Sequence, residues 1–262
     1  MDTWIFLIIS FMASVLGAIC GIGGGVLMKP ILDSLGLMEV STVSFLSGCT
    51  VLSMSFYSVV KTRKDYKKAA DLRVGRLLGI GSAIGGVIGK VLFDQMKEAF
   101  MAPNTIGAVQ AGVLFGVTLG TFIYMLAEKR IRTRQIHQPT ICILIGAGMG
   151  IFSAFLGIGG GPVNLTILYY CFSMNKKTAA KNSLYIIFLS QIFSLGYSLI
   201  SGNIPPFSFG VLVSMVLGGF AGGAAGRHIS RFISDKSVGL IFRTLTILIL
   251  MICIHNFLNY RN

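Results

Sequence analysis

The sequence predicts an all-α polytopic membrane protein of two homologous halves, each with about four helical segments, arranged as inverted repeats whose first segments are broken by glycine. Three observations predict it. The 262 residues are 54% hydrophobic and only 12% charged, with a mean hydropathy of +0.80, against roughly 25% charged residues in soluble domains. Charge is concentrated between long apolar runs and at their ends. The pentapeptide Gly21-Ile22-Gly23-Gly24-Gly25 recurs unchanged as Gly157-Ile158-Gly159-Gly160-Gly161, at an offset of 136.

A helix that spans the hydrocarbon core needs about 20 apolar residues. Eight apolar segments meet or exceed that need, or come close to it: 4–32, 40–60, 72–93, 106–126, 141–172, 178–200, 207–225 and 238–257. The first and fifth contain the glycine repeats. The chain accordingly divides into a first transmembrane repeat (1–127), a basic linker expected in the cytoplasm (128–139) and a second transmembrane repeat (140–262). Met1-Asp2-Thr3-Trp4 supplies no basic region ahead of the first apolar run. That run therefore reads as a retained membrane segment and not a signal peptide.

The repeat extends beyond the pentapeptides. Gly81, Gly85 and Gly89 match Gly218, Gly222 and Gly226 at an offset of 137, and Lys90 follows the first trio as Arg227 follows the second. Glycine at every fourth position makes a smooth helical stripe that admits another helix closely, within the chain or from a second subunit. Ser44 and Ser183 stand in like positions at the start of the run after each break.

A net charge of +13 in a soluble protein would point to nucleic acid. Here it is the excess of Lys and Arg that orients membrane proteins, and no nucleic-acid partner is expected. If all eight segments crossed once, 12 basic residues would lie inside and 9 outside, with Arg243 in the last span left out. If the two glycine-broken segments instead dip into the membrane and return, the loops holding Lys176, Lys177, Lys181, Arg227, Arg231 and Lys236 join the inner side, and the count becomes 17 to 4. The second arrangement follows the positive-inside rule better and inverts the halves.

Four glycines in five residues do not hold a helix without a large entropic cost. Backbone polar groups freed within hydrocarbon cost several kcal/mol each, so such breaks survive only when buried in protein or facing a wet cavity. Half-helices starting after the breaks would aim their amide groups and positive dipole ends at that cavity, favouring an anion. The expected substrate-binding set is Gly23, Gly24, Gly25, Thr42, Ser44, Gly159, Gly160, Gly161, Asn164, Thr166, Asn182, Ser183 and Gln191. For each polar member, an interhelical hydrogen bond is the competing role.

Other chemistries lack residues. A dinucleotide fingerprint would need glycine where Val26 and Pro162 stand. His137, His228 and His255 are scattered, and neither H-E-x-x-H nor G-x-S-x-G occurs, so no enzyme, metal or cofactor is expected. The five cysteines include no C-x-x-C pair and read as small membrane-core residues. His255 and Arg243 read as packing or snorkelling groups. No carboxylate falls deep in a span, which leaves Asp33 and Glu39 near the first break as the acidic candidates for ion coupling.

The block Gly21 to Leu32, with Thr42-Val43-Ser44 after it, and the second block Gly157 to Pro162, with Ala180-Lys181-Asn182-Ser183, resemble the hallmark of the sulfite exporter TauE/SafE family of membrane transporters. The likeness covers nearly the whole chain. It implies movement of a small sulfur-containing anion, such as sulfite or an organosulfonate, through a plasma-type membrane. Two departures bear on substrate: Thr166 stands where the first half has Pro30, and Asn164 adds a polar group beside it. A non-transporting membrane scaffold or partner subunit, with a purely architectural repeat, is the alternative reading of the residues; oligomeric state is left open.

Overall fold

The computed structural model describes residues 3–66, 72–99, 103–128 and 130–261. Lys67, Lys68 and Lys129 of the basic loops lie outside the described residues. Among the described residues ten helices run in the order α1 (Thr3–Cys20), α2 (Gly25–Leu35), α3 (Val40–Tyr66), α4 (Leu72–Ala99), α5 (Pro103–Ala127), α6 (Pro139–Phe155), α7 (Pro162–Phe172), α8 (Lys176–Ile200), α9 (Phe209–Ile229) and α10 (Asp235–Arg261). Seven of these are long and apolar enough to cross a membrane; α6 and α7 are shorter apolar helices. The protein is an all-α, multi-pass membrane protein.

Each glycine-broken segment is a helix of 18 (α1) or 17 (α6) residues followed by one of 11. Local chemistry sets the ends. Gly36 closes α2 in the left-handed conformation, its amide bonded to the Asp33 carbonyl. Pro162 opens α7 at a position where a missing N–H costs nothing. Ser173 ends α7 at φ 52°; its hydroxyl donates to the Arg134 carbonyl at 2.9 Å, which offsets the strain of a left-handed residue with a side chain. Asn175 caps α8 by accepting from the Thr178 amide at 2.8 Å. The linker lies across the end of α7, where the amides of Arg134 and Ile136 bond the carbonyls of Tyr170 and Cys171.

Glycine stripes decide which helices pair, and both pack within the chain. The α4 stripe lies on α6 and the α9 stripe on α1. A Cβ at Gly81 would stand 2.9 Å from the Ala147 nitrogen, and one at Gly218 would stand 2.7 Å from the Leu7 carbonyl oxygen. The contacts are reciprocal at the offsets of the sequence repeat. Gly89 meets Ile151 as Gly226 meets Val15, and Gly86 meets Ser190 as Gly223 meets Met54.

The register of these contacts gives the helix directions. Gly218 and Gly226 of α9 lie beside Leu7 and Val15 of α1, so the two run in the same sense. So does α3, whose Ser53 donates to the Val216 carbonyl at 3.1 Å and whose Met54 meets Gly223. By the same reasoning α4, α6 and α8 share a sense, with Ser82 of α4 donating to the Ile186 carbonyl of α8 at 3.1 Å. The two sets oppose each other: along α3 and α8, Gly48 faces Leu195 while Phe56 faces Phe188. Gly25 lies beside Ser47, two turns into α3, and a short loop joins Leu35 to Val40. Hence α2 runs back along α3.

Charge is not confined to loops and helix ends as the sequence leads one to expect. Lys29 and Asp33 form a buried ion pair of 2.6 Å within α2, and Lys90 and Asp94 form one of 2.8 Å within α4. The i,i+4 spacing brings each pair together on one helix face, so mutual attraction offsets the desolvation that isolated charges would suffer.

Candidate functional site

The two breaks meet. Gly23 adopts φ 78° and Gly159 φ 67°, backbone that side chains rarely tolerate. A Cβ on Gly23 would stand 3.0 Å from the Gly159 carbonyl oxygen. Gly25 likewise packs against the carbonyl of Ile158. Glycine here serves close backbone approach as well as the turn itself.

Neither short helix receives a side-chain cap at its start. The Gly24 carbonyl accepts from Leu27 and Met28, and the Gly161 carbonyl accepts from Asn164. Because Pro162 has no N–H, α7 offers fewer first-turn donors than α2. The two helix starts therefore present unequal sets of amide donors.

Buried polar side chains surround the breaks. The hydroxyl of Ser14 lies 2.9 Å from where a Gly24 Cβ would be, and that of Ser47 2.8 Å from a Gly25 Cβ. The Asn164 amide nitrogen lies 3.1 Å from a Gly160 Cβ, and the Ser44 hydroxyl 2.7 Å from a Gly157 Cβ. All four are without a hydrogen-bond partner, as is Ser183. Asn164 is 1% exposed and Ser47 fully buried. Buried polar groups are nearly always satisfied, and each orphan costs about 1–3 kcal/mol. A site that binds a polar ligand or water supplies the missing partners.

Of the residues singled out in the sequence, Gly23, Gly24, Gly25, Gly159, Gly160, Gly161 and Asn164 are brought together here. Ser44 and Gln191 instead line a small cavity beside Gly157. Thr42 is committed elsewhere, donating to the Pro206 carbonyl at 3.0 Å. Thr166 bonds within its own helix, to the Pro162 carbonyl at 3.2 Å. Asn182 donates to the Thr178 carbonyl at 3.1 Å and lies against Gly75 of α4. Asp33 is held by Lys29, and Glu39 is exposed beside Ser41.

Two residues escaped sequence reasoning. Ser14 lies two turns ahead of Gly21 on the face of α1 that turns toward the break. Ser47 had a signal in the repeat itself: Gly157 meets Ser44 as Gly21 meets Ala180, both pairs related by 136. That register makes Ser47, not Ser44, the counterpart of Ser183.

An apolar cluster of Ala18, Val51, Met54, Leu184 and Ile187 adjoins the junction. Ile187 reaches Gly23 and Gly160 while its counterpart Val51 reaches Gly159.

Comparison with known proteins gives a consistent result. Residues 6–253 match the profile of the family described as Sulfite exporter TauE/SafE. The chain is 26% identical over 273 residues to "Probable membrane transporter protein YunE" of Bacillus subtilis, covering 94% of each chain. It is 28% identical over 172 residues to a "Probable membrane transporter protein" of Methanocaldococcus jannaschii, covering 63% of this chain and 60% of that one. A Haemophilus influenzae protein of the same description is 25% identical over 202 residues, 75% of this chain and 73% of the other. No solved structure matches significantly. With nearly its whole length matched and its relatives named as transporters, the chain belongs to the Sulfite exporter TauE/SafE family of membrane transporters.

Proposed function

We propose that this transporter carries a small anion, a sulfur oxyanion or organosulfonate, across the plasma membrane through the junction of the two glycine breaks. The observation that carries the reading is the meeting of Gly23 with Gly159 amid unpartnered buried polar groups. Uncapped amides at the start of α2 give the junction a positive bias, and Ser14, Ser47 and Asn164 supply donors for oxyanion oxygens. The family description supports the sulfur chemistry.

The helix directions favour inverted repeats, with α2 and α7 each returning to the side from which α1 and α6 set out. In that arrangement the ends of α3, α5, α7 and α9 share the side that bears 17 of the basic residues. The positive-inside rule assigns that side to the cytoplasm. Discontinuous helices at the interface of inverted repeats commonly form a transporter's substrate site.

The test is flux in liposomes of the purified protein, with sulfite and a short organosulfonate offered against chloride. Gly24→Leu places a branched side chain against Ser14. It should abolish flux while the protein still inserts. Equal flux from wild type and Gly24→Leu rejects the junction as the path.

A further inference from the structure

The repeat leaves a recess on one side of the protein where it closes the other. The recess, of about 260 Å³, lies between the ends of α5 and α7 and the starts of α8 and α10. Its residues Lys176, Phe242 and Tyr124 are related, all at an offset of 136, to Val40, Ile106 and Tyr260. Those three counterparts pack with Phe93 into one apolar cluster. There the Tyr260 ring lies directly on Gly107, with ring atoms 2.7 Å from where a Cβ would stand. The counterpart of Gly107, again at 136, is Arg243. A ring on glycine fills the space in one place, and a guanidinium in place of the glycine leaves it open in the other.

Three cations, Lys176, Lys236 and Arg243, line the recess with one carboxylate, Glu128. Among the described residues, none of the four takes part in an ion pair. Even with Glu128 counted against them, positive charge is in excess. The Tyr124 hydroxyl, also in the lining, is buried without a hydrogen-bond partner, and a buried hydroxyl left so is costly.

Position in the membrane narrows the ligand. Lys176 and Lys236 stand in the first turns of α8 and α10, and Glu128 directly follows α5, so all three lie at helix ends, the level of lipid headgroups. Arg243 is deeper, about 12 Å along α10 from Asp235 at the rise of a helix. It is exposed on a helix long and apolar enough to span the membrane. A guanidinium there is expensive in hydrocarbon and reaches back toward the interface for a partner. The recess opens on the same surface, because Leu240 lines it and is 65% exposed. Leu240, Arg243 and Ile247 follow one face of α10 at helical spacing, all three exposed. Cations thus sit at the head of an apolar stripe that faces the bilayer.

We propose that this recess is a binding site for the phosphate of an anionic phospholipid such as phosphatidylglycerol. Lys176, Lys236 and Arg243 surround the phosphate, Tyr124 donates to one of its oxygens, and the acyl chains lie along Leu240 and Ile247. Glu128 accepts from the headgroup hydroxyls. The polar groups alone would also suit free phosphate; the exposed apolar stripe beneath them selects the lipid. A lipid seated here joins the two halves, since Tyr124 and Glu128 come from the first and the three cations from the second. It also rests against Tyr169 of α7, the short helix that begins at the second glycine break. The apolar cluster around Tyr260 has no such site. Nothing in the proposal depends on which substrate is carried.

The experiment is native mass spectrometry of the purified full chain with dioleoylphosphatidylglycerol. Dioleoylphosphatidylcholine is the zwitterionic probe and inorganic phosphate the free one. Wild type should retain phosphatidylglycerol about tenfold more tightly than phosphatidylcholine, and excess inorganic phosphate should not displace it. Arg243→Gln combined with Lys236→Gln should weaken phosphatidylglycerol binding by about tenfold or more. Arg76→Gln removes an exposed cation near the start of α4 that is not in the recess, and it should leave binding unchanged. Melting in phosphatidylcholine shows whether the double variant is folded; if it is not, Lys236→Gln is read in its place, with the same expected direction. Equal retention of the two lipids overturns the proposal, as does displacement by inorganic phosphate. So does binding unmoved by the recess variants, or weakened as much by Arg76→Gln, which would mark diffuse attraction to a basic surface.

Discussion

Gly23 and Gly159 meet backbone to backbone, near enough that a methyl group on the first would stand 3.0 Å from the carbonyl oxygen of the second. Two segments more than a hundred residues apart thus depend on each other's missing side chains. Gly23→Ala should lower flux at least tenfold, because the left-handed backbone costs about 1–2 kcal/mol with a Cβ and the Gly159 carbonyl must move. Insertion and α-helix content should be unchanged. Transport assays paired with circular dichroism check both.

The apolar cluster beside the junction offers a second handle. Ile187 reaches both Gly23 and Gly160, and shortening it opens space beside the breaks. Ile187→Ala should raise leak of small anions and lower selectivity between sulfite and chloride, at a stability cost of about 2–5 kcal/mol. A melt and a two-anion flux comparison report the two effects separately.

The pair formed by Lys90 and Asp94 has side chains 13% and 11% exposed. Asp94→Asn leaves a largely buried ammonium without its counter-charge and should destabilise the protein by about 3–5 kcal/mol. Lys90→Met combined with Asp94→Asn should recover most of that loss, since two neutral groups of similar size need no pairing. Thermal unfolding of the single and double variants measures the coupling. Additive losses would show that the two residues act independently.

Glycines of the stripes and glycines at open positions should respond oppositely to alanine. Gly85 packs on the Ala147 backbone, whereas nothing lies within 4 Å of a Cβ at Gly116. Gly85→Ala should destabilise by about 1–3 kcal/mol through overpacking of α4 on α6. Gly116→Ala should stabilise by about 0.5–1 kcal/mol, as alanine does within an exposed helix. Melting temperatures of the two variants test the contrast.

Single cysteines at Lys177 and Arg231 test the orientation. Lys177 lies in the first turn of α8 and Arg231 just after α9, and both should react with a membrane-impermeant reagent only when the cytoplasmic face is exposed. Reaction from the outer face would return the halves to a parallel arrangement.

Much of this protein was legible in its residues because the controlling physics is local. A run of about 20 apolar residues is a membrane segment wherever it stands, and four glycines in five break a helix regardless of neighbours. Composition and the two pentapeptides therefore determined the all-α membrane class and the place of the breaks. The family followed from the same residues. Tertiary structure decided what depends on close approach between distant segments. It set the register that pairs Ser47 with Ser183, drew Ser14 to the break, committed Thr42 to Pro206 and buried Asp33 and Asp94 against lysines. It also decided that the two breaks touch. Helix propensity and hydropathy act within a segment, whereas these relations are set where glycine stripes let backbones meet.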